Sequence, residues 1–309
     1  MGKIAFVFPG QGAQTVGMGK DTYELIAASR AIFDRADEAL GFSISKLCFE
    51  GPDEDLKQTA NTQPALLATS IALLEAYKSQ VVQPDYVAGH SLGEYSALVA
   101  AGVLSFEDAI RLVRARGQFM EQAVPSGLGA MAAVLGAERD SLQALCADVT
   151  ATVGRVELAN VNCPGQIVVS GSAEGVASVV ERGKEAGAKR VIPLDVSGPF
   201  HSSLMQPAAD ALAAKLADIQ FKDATVPVVV NVHAKPVVAG DELRSLLVDQ
   251  VVSPVLWEDS IRYLIAEGVD TFVEIGSGTV LSGLIKKIDK SVQVITVNNV
   301  DACNPTVAQ

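Results

Sequence analysis

The chain has 309 residues, of which 49% are hydrophobic and 19% are charged, as in a globular protein with a sizeable core. Its formal net charge of −12 argues against nucleic acids and anionic membrane surfaces as main partners. No apolar run reaches the ~18 residues that span a bilayer, and the first residues lack the pattern of a cleaved signal peptide. We therefore expect a cytoplasmic protein that does not bind membranes.

The spacing of the cysteines and histidines speaks against a metal site. The four cysteines are scattered, with no Cys-x-x-Cys pair, and a disulfide framework is not expected in so long a chain. The three histidines include no His-Glu-x-x-His, the pattern of zinc hydrolases. We expect neither a metal nor a bound cofactor. The residues concerned are Cys48, Cys146, Cys163, Cys303, His90, His201 and His233.

The first 124 residues alternate between strand-like and helix-like segments. Apolar runs and turn signals predict strands at 3–8 and 86–88, and helices at 65–77, 92–101 and 105–121. Gly102 ends the second of these helices, and Ser105 with Asp108 resembles a capping box that opens the third. Such alternation predicts a parallel sheet covered by helices.

Residues 125–195 follow a different order of elements. Strands are predicted at 129–135, 156–160, 166–170 and 189–194, with helices at 138–147 and 175–186. This βαββαβ order is that of a ferredoxin-like subdomain. Breaks at Pro125-Ser126-Gly127 and Ser197-Gly198-Pro199 bound it, and strands at 226–231 and 271–274 resume the α/β pattern. We expect one α/β body with a small subdomain inserted in its middle and a ligand cleft between them.

Gly89-x-Ser91-x-Gly93 follows a short predicted strand and precedes a predicted helix, as in a nucleophile elbow. The sharp turn presents the serine hydroxyl above the sheet, and the glycines let strand and helix approach closely. The turn also places the N–H of Leu92 at a helix start, where unpaired donors can bind a developing oxyanion. Ser91 is therefore the predicted nucleophile.

A serine hydroxyl reacts only when a base removes its proton, and three histidines are available. The His90 side chain should diverge from Ser91 on an elbow, and His233 follows a strand-like run that favours a structural or surface role. His201 lies in a Gly/Pro loop that leads into a helix, which is a good place to present a side chain. His201 is the predicted base. The residue that orients it stays open among Asp195, Asp249 and Glu274.

Arg116 lies in the apolar stripe of the helix that follows Ser105. A rotation of 100° per residue places it with Ala109, Val113 and Met120, whereas Arg111 and Arg114 fall on the polar side. An arginine in that position is costly unless its charge is matched. Either a structural salt bridge or a bound substrate carboxylate would match it. A nucleophilic serine in the same unit makes the second explanation at least an even alternative.

The loop after the first predicted strand begins Pro9-Gly10-Gln11-Gly12. Gly10-x-Gly12 suggests a dinucleotide-binding turn, but the third glycine position is Thr15 and Pro9 interrupts the turn. A loop at the carboxyl end of a parallel strand can instead supply a second oxyanion donor. The N–H of Gln11 is the candidate.

Several of these segments, in this order, resemble malonyl-CoA:acyl carrier protein transacylases, in particular the free-standing enzymes of dissociated fatty acid synthesis. The resemblance spans most of the chain. It implies an α/β-hydrolase-like core with a parallel sheet, formed by residues 1–124 and 196–309, and a ferredoxin-like subdomain at 125–195. The motifs are Phe8-Pro9-Gly10-Gln11-Gly12, Gly89-His90-Ser91-Leu92-Gly93-Glu94, Arg116-Gly117-x-x-Met120, Asn160-x-Asn162-x-Pro164-Gly165-Gln166 and Phe200-His201.

The resemblance implies a ping-pong reaction in which Ser91 takes the malonyl group from malonyl-CoA. The phosphopantetheine thiol of a transiently bound acyl carrier protein then accepts it. His201 would act as the base, and Gln250 would orient it through a backbone carbonyl in place of a carboxylate. A monomer is expected.

The resemblance also assigns substrate contacts. The N–H groups of Leu92 and Gln11 would form the oxyanion hole, Arg116 would pair with the malonyl carboxylate, and Phe200 would exclude a 2-methyl branch. Because the carrier is acidic in this pathway, its docking needs a local basic patch. The candidates are Lys189, Arg190, Lys286 and Lys287.

Two other classes of protein share these features. A serine thioesterase or lipase uses the same elbow and would release free malonate, without any use for Arg116. A non-catalytic acyl-binding module would carry the serine and histidine as vestiges. A malonyl loader of a polyketide pathway would use the same residues as a fatty acid enzyme, so the pathway stays open.

Overall fold

The computed structural model describes residues 2–77 and 83–303. Two sheets, of six and four strands, organise these residues. Positions 1, 78–82 and 304–309 of the predicted larger unit lie outside the described residues. The strands are β1 (Lys3–Phe8), β2 (Tyr86–Gly89), β3 (Gly129–Leu135), β4 (Val156–Cys163), β5 (Gln166–Ser172), β6 (Arg190–Pro193), β7 (Val228–Val229), β8 (Pro236–Val237), β9 (Val269–Ile275) and β10 (Gln293–Val297).

Helices cover both sheets, and none of those described is both long and apolar enough to cross a membrane. They are α1 (Lys20–Leu25), α2 (Ala27–Leu40), α3 (Ile44–Glu50), α4 (Asp53–Leu56), α5 (Thr59–Tyr77), α6 (Gly93–Ala100), α7 (Phe106–Gln122), α8 (Arg139–Thr152), α9 (Ala173–Arg182), α10 (Gln206–Leu216), α11 (Gly240–Val252), α12 (Trp257–Ala266), α13 (Val280–Ile288) and α14 (Val300–Cys303). Two 3-10 segments lie at Gly183–Ala186 and Ser203–Met205.

The six-stranded sheet has the order β10-β9-β1-β2-β7-β8. Its pairs are parallel except for β7 and β8, which are antiparallel, so the prediction of a parallel sheet is corrected at one edge. Only residues 230–235 join β7 to β8, and so short a connection cannot make a parallel crossover.

The middle strand of this sheet divides the core. Phe6 and Phe8 pack into the larger apolar cluster, which includes α5, α7 and α10. Ala5 and Val7 pack on the opposite face, against α12 and α13. Successive strand side chains point to opposite faces, so β1 is apolar throughout because both of its faces are covered.

The loops that follow β1 and β2 lie side by side. In the parallel register Phe8 pairs with Gly89, so both strands end at the same edge of the sheet. Open α/β sheets bind ligands in the crevice outside the carboxyl ends of their strands. The predicted nucleophile turn and the Gln11 loop are therefore neighbours in space.

The four-stranded sheet is antiparallel, with the order β4-β5-β3-β6. Its chain order, β3-α8-β4-β5-α9-β6, is the predicted βαββαβ succession. The strand predicted at 129–135 has the observed bounds, whereas α8 continues five residues beyond its predicted end and β4 three beyond its own.

Prediction was least accurate at the two edges of the large sheet. The strand expected at 226–231 is reduced to the two residues of β7. The strand β10 was not predicted, although Val294, Ile295 and Val297 carry the β-branched signal of a strand. A short strand is stabilised by its neighbours more than by its own propensity, so the local sequence predicts its bounds poorly.

Helix α5 begins at Thr59, six residues before its predicted start, and contains Pro64. Proline removes one hydrogen bond within a helix and leaves the carbonyl four residues earlier without its partner. That carbonyl belongs to Ala60, and it accepts a hydrogen bond from Arg114 Nη1 at 2.6 Å. A contact from α7 therefore sustains the helix across a residue that normally ends one.

Candidate active site

Ser91 stands in the turn between β2 and α6 with a φ of 50°. Non-glycine residues rarely adopt such angles except where the surrounding fold imposes them. Two close approaches shape this turn. A Cβ atom on Gly89 would lie 1.9 Å from the backbone carbon of Gly93, and one on Gly93 would lie 2.0 Å from the Phe8 carbonyl oxygen. Both glycines are therefore needed for helix and sheet to meet.

His201 reaches Ser91 from the loop before α10, and its φ of 58° is also positive. Its Nε2 lies 2.7 Å from Ser91 Oγ, and its Nδ1 lies 2.9 Å from the carbonyl oxygen of Gln250. Since a carbonyl only accepts, Nδ1 carries the proton and Nε2 is free to accept from the Ser91 hydroxyl. This is the tautomer that a general base needs.

None of the three carboxylates left open as orienters contacts His201. Glu274 instead accepts hydrogen bonds from the backbone N–H groups of Leu281 and Ser282 at the start of α13. Asp195 and Asp249 are exposed. The backbone carbonyl of Gln250 occupies the orienting position.

The environment of His201 favours the neutral ring. Burial lowers the pKa of His201 to about 3, and the positive charge of nearby Arg116 adds to that effect. The backbone carbonyl of Gln250 acts in the opposite direction but does not offset them. The imidazole is therefore unprotonated at neutral pH and competent to accept a proton.

Arg116 is 1% exposed, and its charged end faces Ser91. Its Nη2 lies 3.3 Å from Ser91 Oγ and 2.9 Å from Oε1 of Gln250, while Nη1 donates to Oε1 of Gln63 at 3.0 Å. Burial lowers the pKa of the guanidinium, which nonetheless stays charged because arginine starts far above neutral pH. The helix-face prediction is confirmed: Ala109, Val113 and Met120 are buried with it.

Gln250 contacts each of the three residues just described. Its carbonyl oxygen orients His201, its side-chain oxygen accepts from Arg116, and its side-chain nitrogen donates to the carbonyl oxygen of Ser91 at 3.2 Å. It is 1% exposed at the end of α11. One residue thus fixes the relative positions of serine, histidine and arginine.

Asn231, just beyond β7, fixes the backbone of the elbow. Its Oδ1 accepts from the N–H of Ser91 and its Nδ2 donates to the carbonyl oxygen of Gly89, each at 2.7 Å. Its own N–H donates to Glu94 at 2.8 Å. The side-chain amide therefore continues the pairing between β2 and β7 past the point where the backbone ladder stops.

Glu94 is a buried carboxyl beneath the site. Burial raises the pKa of Glu94 to about 7, against the opposing effects of the Asn231 N–H, the Gln250 amide and the Arg116 charge. It contributes no oxygen at ion-pair distance from Arg116 in the part of the chain that the structure describes.

Two backbone N–H groups near Ser91 belong to the residues predicted to form the oxyanion hole. In the described chain neither the N–H of Gln11 nor that of Leu92, which precedes α6, has a hydrogen-bond partner. The Gln11 loop lies directly against the elbow, because a Cβ atom on Gly10 would be 2.3 Å from the His90 carbonyl oxygen. Unpaired donors beside the predicted nucleophile are suited to a negatively charged oxygen.

A cavity of about 760 Å³ opens over Ser91, between the two sheets. This size suits a small ligand or the limb of a larger one. Phe200 is 6% exposed and forms part of the wall. Residues of both sheet units contribute to the lining, among them Gln11, His90, Leu92, Met131, Asn160 and Leu194.

The remaining histidines lie where the sequence placed them. His90 turns away from Ser91: its ring packs against Trp257 and its Nε2 donates to Asn162 Oδ1 at 2.8 Å, joining the two sheets. His233 is exposed. Among the described residues, no three His, Cys, Asp or Glu side chains group as metal ligands would.

Sequence reasoning missed Gln63 and Asn231, and it gave no role to Glu94. Each is a polar residue that is at most 1% exposed, which in a helix or strand is itself a sign of a specific partner. Pro64 masked the helix that carries Gln63, and the strand expected at 226–231 obscured the turn at Asn231.

The site contains a serine that is hydrogen-bonded to a neutral histidine, together with unpaired backbone donors and a buried arginine. These features define a site for acyl transfer. Residues 5–303 match the family model of the acyl transferase domain, and the chain belongs to this family.

Curated relatives narrow the comparison. A protein of Bacillus subtilis named malonyl CoA-acyl carrier protein transacylase is 55% identical over 299 residues, which cover 97% of this chain and 94% of that protein. A Staphylococcus aureus protein of the same name is 48% identical over 301 residues and 97% of each chain. The family resemblance expected from the motifs is confirmed.

Solved structures agree in fold. An acyl carrier protein S-malonyltransferase from Vibrio cholerae has a TM-score of 0.94 and 45% identity, with 97% of this chain and 98% of that chain covered. A type II PKS acyl-carrier protein in complex with its malonyl-transacylase also has a TM-score of 0.94, at 42% identity and 97% coverage of both chains. The α/β class is confirmed.

Proposed function

We propose that this chain transfers the malonyl group of malonyl-CoA to the phosphopantetheine thiol of an acyl carrier protein, through an ester on Ser91. The observation that carries the proposal is the position of Arg116, whose Nη2 lies 3.3 Å from Ser91 Oγ in the lining of the cavity. A hydrolase of simple acyl esters has no use for a buried cation there. A substrate that ends in a carboxylate does.

In the first half-reaction His201 Nε2 takes the proton of the Ser91 hydroxyl as Oγ attacks the thioester carbonyl. The N–H groups of Gln11 and Leu92 stabilise the resulting oxyanion. When it collapses the carbon–sulfur bond breaks, and the thiolate of coenzyme A takes the proton from His201. The products are free coenzyme A and malonyl-Ser91.

In the second half-reaction the carrier thiol gives its proton to His201 and attacks the ester carbonyl. The carbon–oxygen bond to Ser91 breaks, and Oγ recovers the proton from His201, which restores the enzyme. The carbonyl oxygen of Gln250 accepts from Nδ1–H throughout, so the ring keeps its orientation and only Nε2 gains and loses a proton. No metal or bound cofactor takes part in these steps.

Selectivity for malonyl arises from two walls of the cavity. Arg116 binds the free carboxylate, which simple acyl groups lack. Phe200 occupies space beside His201 that a branch on the malonyl carbon would need. These roles rest on the position of the side chains in the cavity.

The carrier docks on a basic patch, here defined as Lys189, Arg190, Lys286 and Lys287, all of which are exposed. Lys287 donates to Gln166 Oε1 at 3.1 Å, and the side chain of Lys189 lies against Gly136. The patch therefore spans the ends of β3 and β5 and the helix α13. An acidic carrier would meet it while its thiol enters the cleft.

The architecture proposed with this function is a hydrolase-like unit of residues 1–124 and 196–309 and a ferredoxin-like unit of residues 125–195. The separate six-stranded and antiparallel four-stranded sheets support this division. We place the protein in the cytoplasm as a monomer; its four cysteines are free and buried, as suits a reducing compartment.

Fatty acid synthesis is the pathway we favour. The malonyl-transacylase of a type II PKS is nevertheless 42% identical over 97% of both chains, so a polyketide role is the second candidate. The chemistry at Ser91 is the same in both.

Labelled malonyl-CoA, followed by mass analysis, tests the reaction. We expect an adduct of malonyl mass on the Ser91 peptide that is discharged by holo acyl carrier protein. Rapid release of free malonate would instead identify a hydrolase. The absence of any adduct would identify a binding module.

A further inference from the structure

The guanidinium of Arg116 is held by neutral groups. Nη1 donates to Oε1 of Gln63 at 3.0 Å, and Nη2 donates to Oε1 of Gln250 at 2.9 Å. No carboxylate forms an ion pair with it anywhere in the described residues. Two glutamine oxygens thus occupy the positions where a buried arginine ordinarily meets aspartate or glutamate.

Neutral acceptors and carboxylates differ in their electrostatic effect. An amide oxygen satisfies a donor and fixes its direction but leaves the positive charge intact, whereas a carboxylate cancels it. The buried carboxyl of Glu94 acts on the charge of Arg116 through space, without an ion-pair contact, and its Oε2 accepts from the N–H of Asn231. The charge of Arg116 is therefore oriented by its neighbours without being paired.

The main polar contact of Gln63 is the hydrogen bond that its Oε1 accepts from Arg116. Gln63 is 1% exposed on α5, and its other amide atom, Nε2, donates to the sulfur of Met120 at 3.5 Å and to no other acceptor among the described residues. The opposite amide orientation would set Nε2 against Arg116, donor against donor. The oxygen is therefore the atom that faces the guanidinium.

We propose that Gln63 is a positioning residue that sets specificity: it orients Arg116 while leaving its charge available for the carboxylate of an incoming acyl group. Glutamate at this position would have nearly the same shape and would satisfy the same nitrogen. It would also supply the negative charge that the substrate otherwise supplies. The inference rests on the malonyl-transfer function proposed above and extends it to a residue that does not touch substrate.

The test compares acylation of Ser91 by malonyl-CoA and acetyl-CoA in the full-length protein. We expect Gln63→Glu to lower the ratio of malonyl to acetyl kcat/KM by about 10- to 100-fold, the usual range for a charge-assisted hydrogen bond. Gln63→Met removes the acceptor without adding charge. It should keep the ratio within about fivefold, although KM for malonyl-CoA rises because Arg116 is less well held.

Gln250→Glu places the same negative charge beside Nη2 of Arg116. This variant replaces Gln63→Glu in the test if Gln63→Glu does not fold. An unchanged ratio in the folded glutamate variants would overturn the proposal. So would an equal fall in Gln63→Glu and Gln63→Met, since that pattern indicates only a packing role.

Arg116→Ala and the unaltered protein separate this proposal from the function beneath it. We expect Arg116→Ala to lose malonyl transfer with a relative gain for acetyl. A retained malonyl preference would overturn the clamp role and the role of Gln63 together. No malonyl adduct on the unaltered protein would overturn the proposed function itself.

Discussion

Ser91 is held through its backbone as well as its side chain. Asn231 accepts from its N–H, Gln250 donates to its carbonyl oxygen, and His201 and Arg116 both reach its Oγ. A residue with positive φ would relax to a more common conformation without such contacts. As the proposed nucleophile, Ser91 would therefore be positioned before substrate arrives, which lowers the cost of reaching the transition state.

Asn231→Ala should expose how much of that positioning matters. The variant leaves the Ser91 N–H and the Gly89 carbonyl unpaired, so we expect acylation by malonyl-CoA to slow about 10- to 100-fold. KM should change little because Arg116 is untouched. Asn299→Ala, at an exposed asparagine, is the control. A loss of rate that merely follows the loss of folded protein would argue against positioning.

His201 should remain a base in mildly acidic solution. Because its pKa is lowered to about 3, its neutral form persists far below the ordinary value near 6.5. We expect the rate of Ser91 acylation to stay flat from pH 8 to pH 5, as measured by quenched single-turnover assays. His233→Ala should give the same profile. Half-loss of the rate near pH 6.5 would contradict the prediction.

The lowered pKa of His201 also makes the stability of the folded protein depend on pH. Between pH 6.5 and 3 the unfolded chain binds a proton at His201 that the folded protein does not. The contribution of this residue to stability is therefore fully present above pH 6.5 and declines as the pH falls.

Among the elements, the helices with local signals were predicted most accurately. Ser105 caps α7 as expected: its Oγ accepts from the N–H of Asp108, whose carboxylate accepts from Ser105 in turn. Start signals of this kind involve residues three apart and need no tertiary partner. Helix α5 was misjudged at Pro64 because the bond that compensates for the proline comes from Arg114, on another helix.

Two glycines in helices should respond oppositely to alanine. A Cβ atom on Gly117 of α7 would lie 2.7 Å from both the Cα of Ala60 and the carbonyl oxygen of Thr59, so α5 and α7 touch there. A Cβ atom on Gly283 of α13 would meet nothing within 4 Å. The first position is a packing contact and the second is not.

We expect Gly117→Ala to lower the free energy of unfolding by about 1–3 kcal/mol, because α5 must move away from α7. Gly283→Ala should raise it by up to about 1 kcal/mol, through better helix propensity and a less flexible unfolded chain. Denaturant titration measures both. Equal effects at the two positions would show that propensity, rather than the helix contact, decides stability at Gly117.

At the scale of the whole molecule, charge is unevenly placed around the cleft. Three carboxylates, those of Glu54, Glu121 and Asp195, border the cavity together with one exposed lysine, Lys57, whereas the basic patch lies where β3 ends and β5 begins. An acidic partner is repelled by the first group and attracted by the second. We therefore expect an acidic carrier to approach from the side of the basic patch, in spite of the net charge of −12.

Reversal of one charge in the basic patch tests whether the carrier approaches from that side. We expect Lys287→Glu to raise KM for acyl carrier protein about tenfold, through slower association that salt partly restores. Acylation by the malonyl thioester of N-acetylcysteamine, which needs no carrier, should be unaffected. Lys215→Glu, at an exposed lysine on α10, makes the same charge change elsewhere. Equal KM values for the two variants would exclude this docking face.

The sequence by itself determined the local features of this protein. The elbow at Ser91, the buried face of the helix that carries Arg116, and the βαββαβ order of the inserted segment all depend on residues close together in the chain. Short-range steric constraints and the periodicity of hydrophobic residues determine such features, and both can be recognised in the sequence. The motifs also sufficed to identify the family.

Only the tertiary structure decided how the site is assembled. The contacts of Ser91 with His201 and Asn231 join residues 110 and 140 positions apart, and that of Arg116 with Gln63 joins residues 53 apart. No local pattern specifies such pairs, because the strand order β9-β1-β2-β7 and the packing of α5 on α7 create them. A backbone carbonyl could orient His201 in place of a carboxylate for the same reason: every residue has one, and only the fold selects that of Gln250.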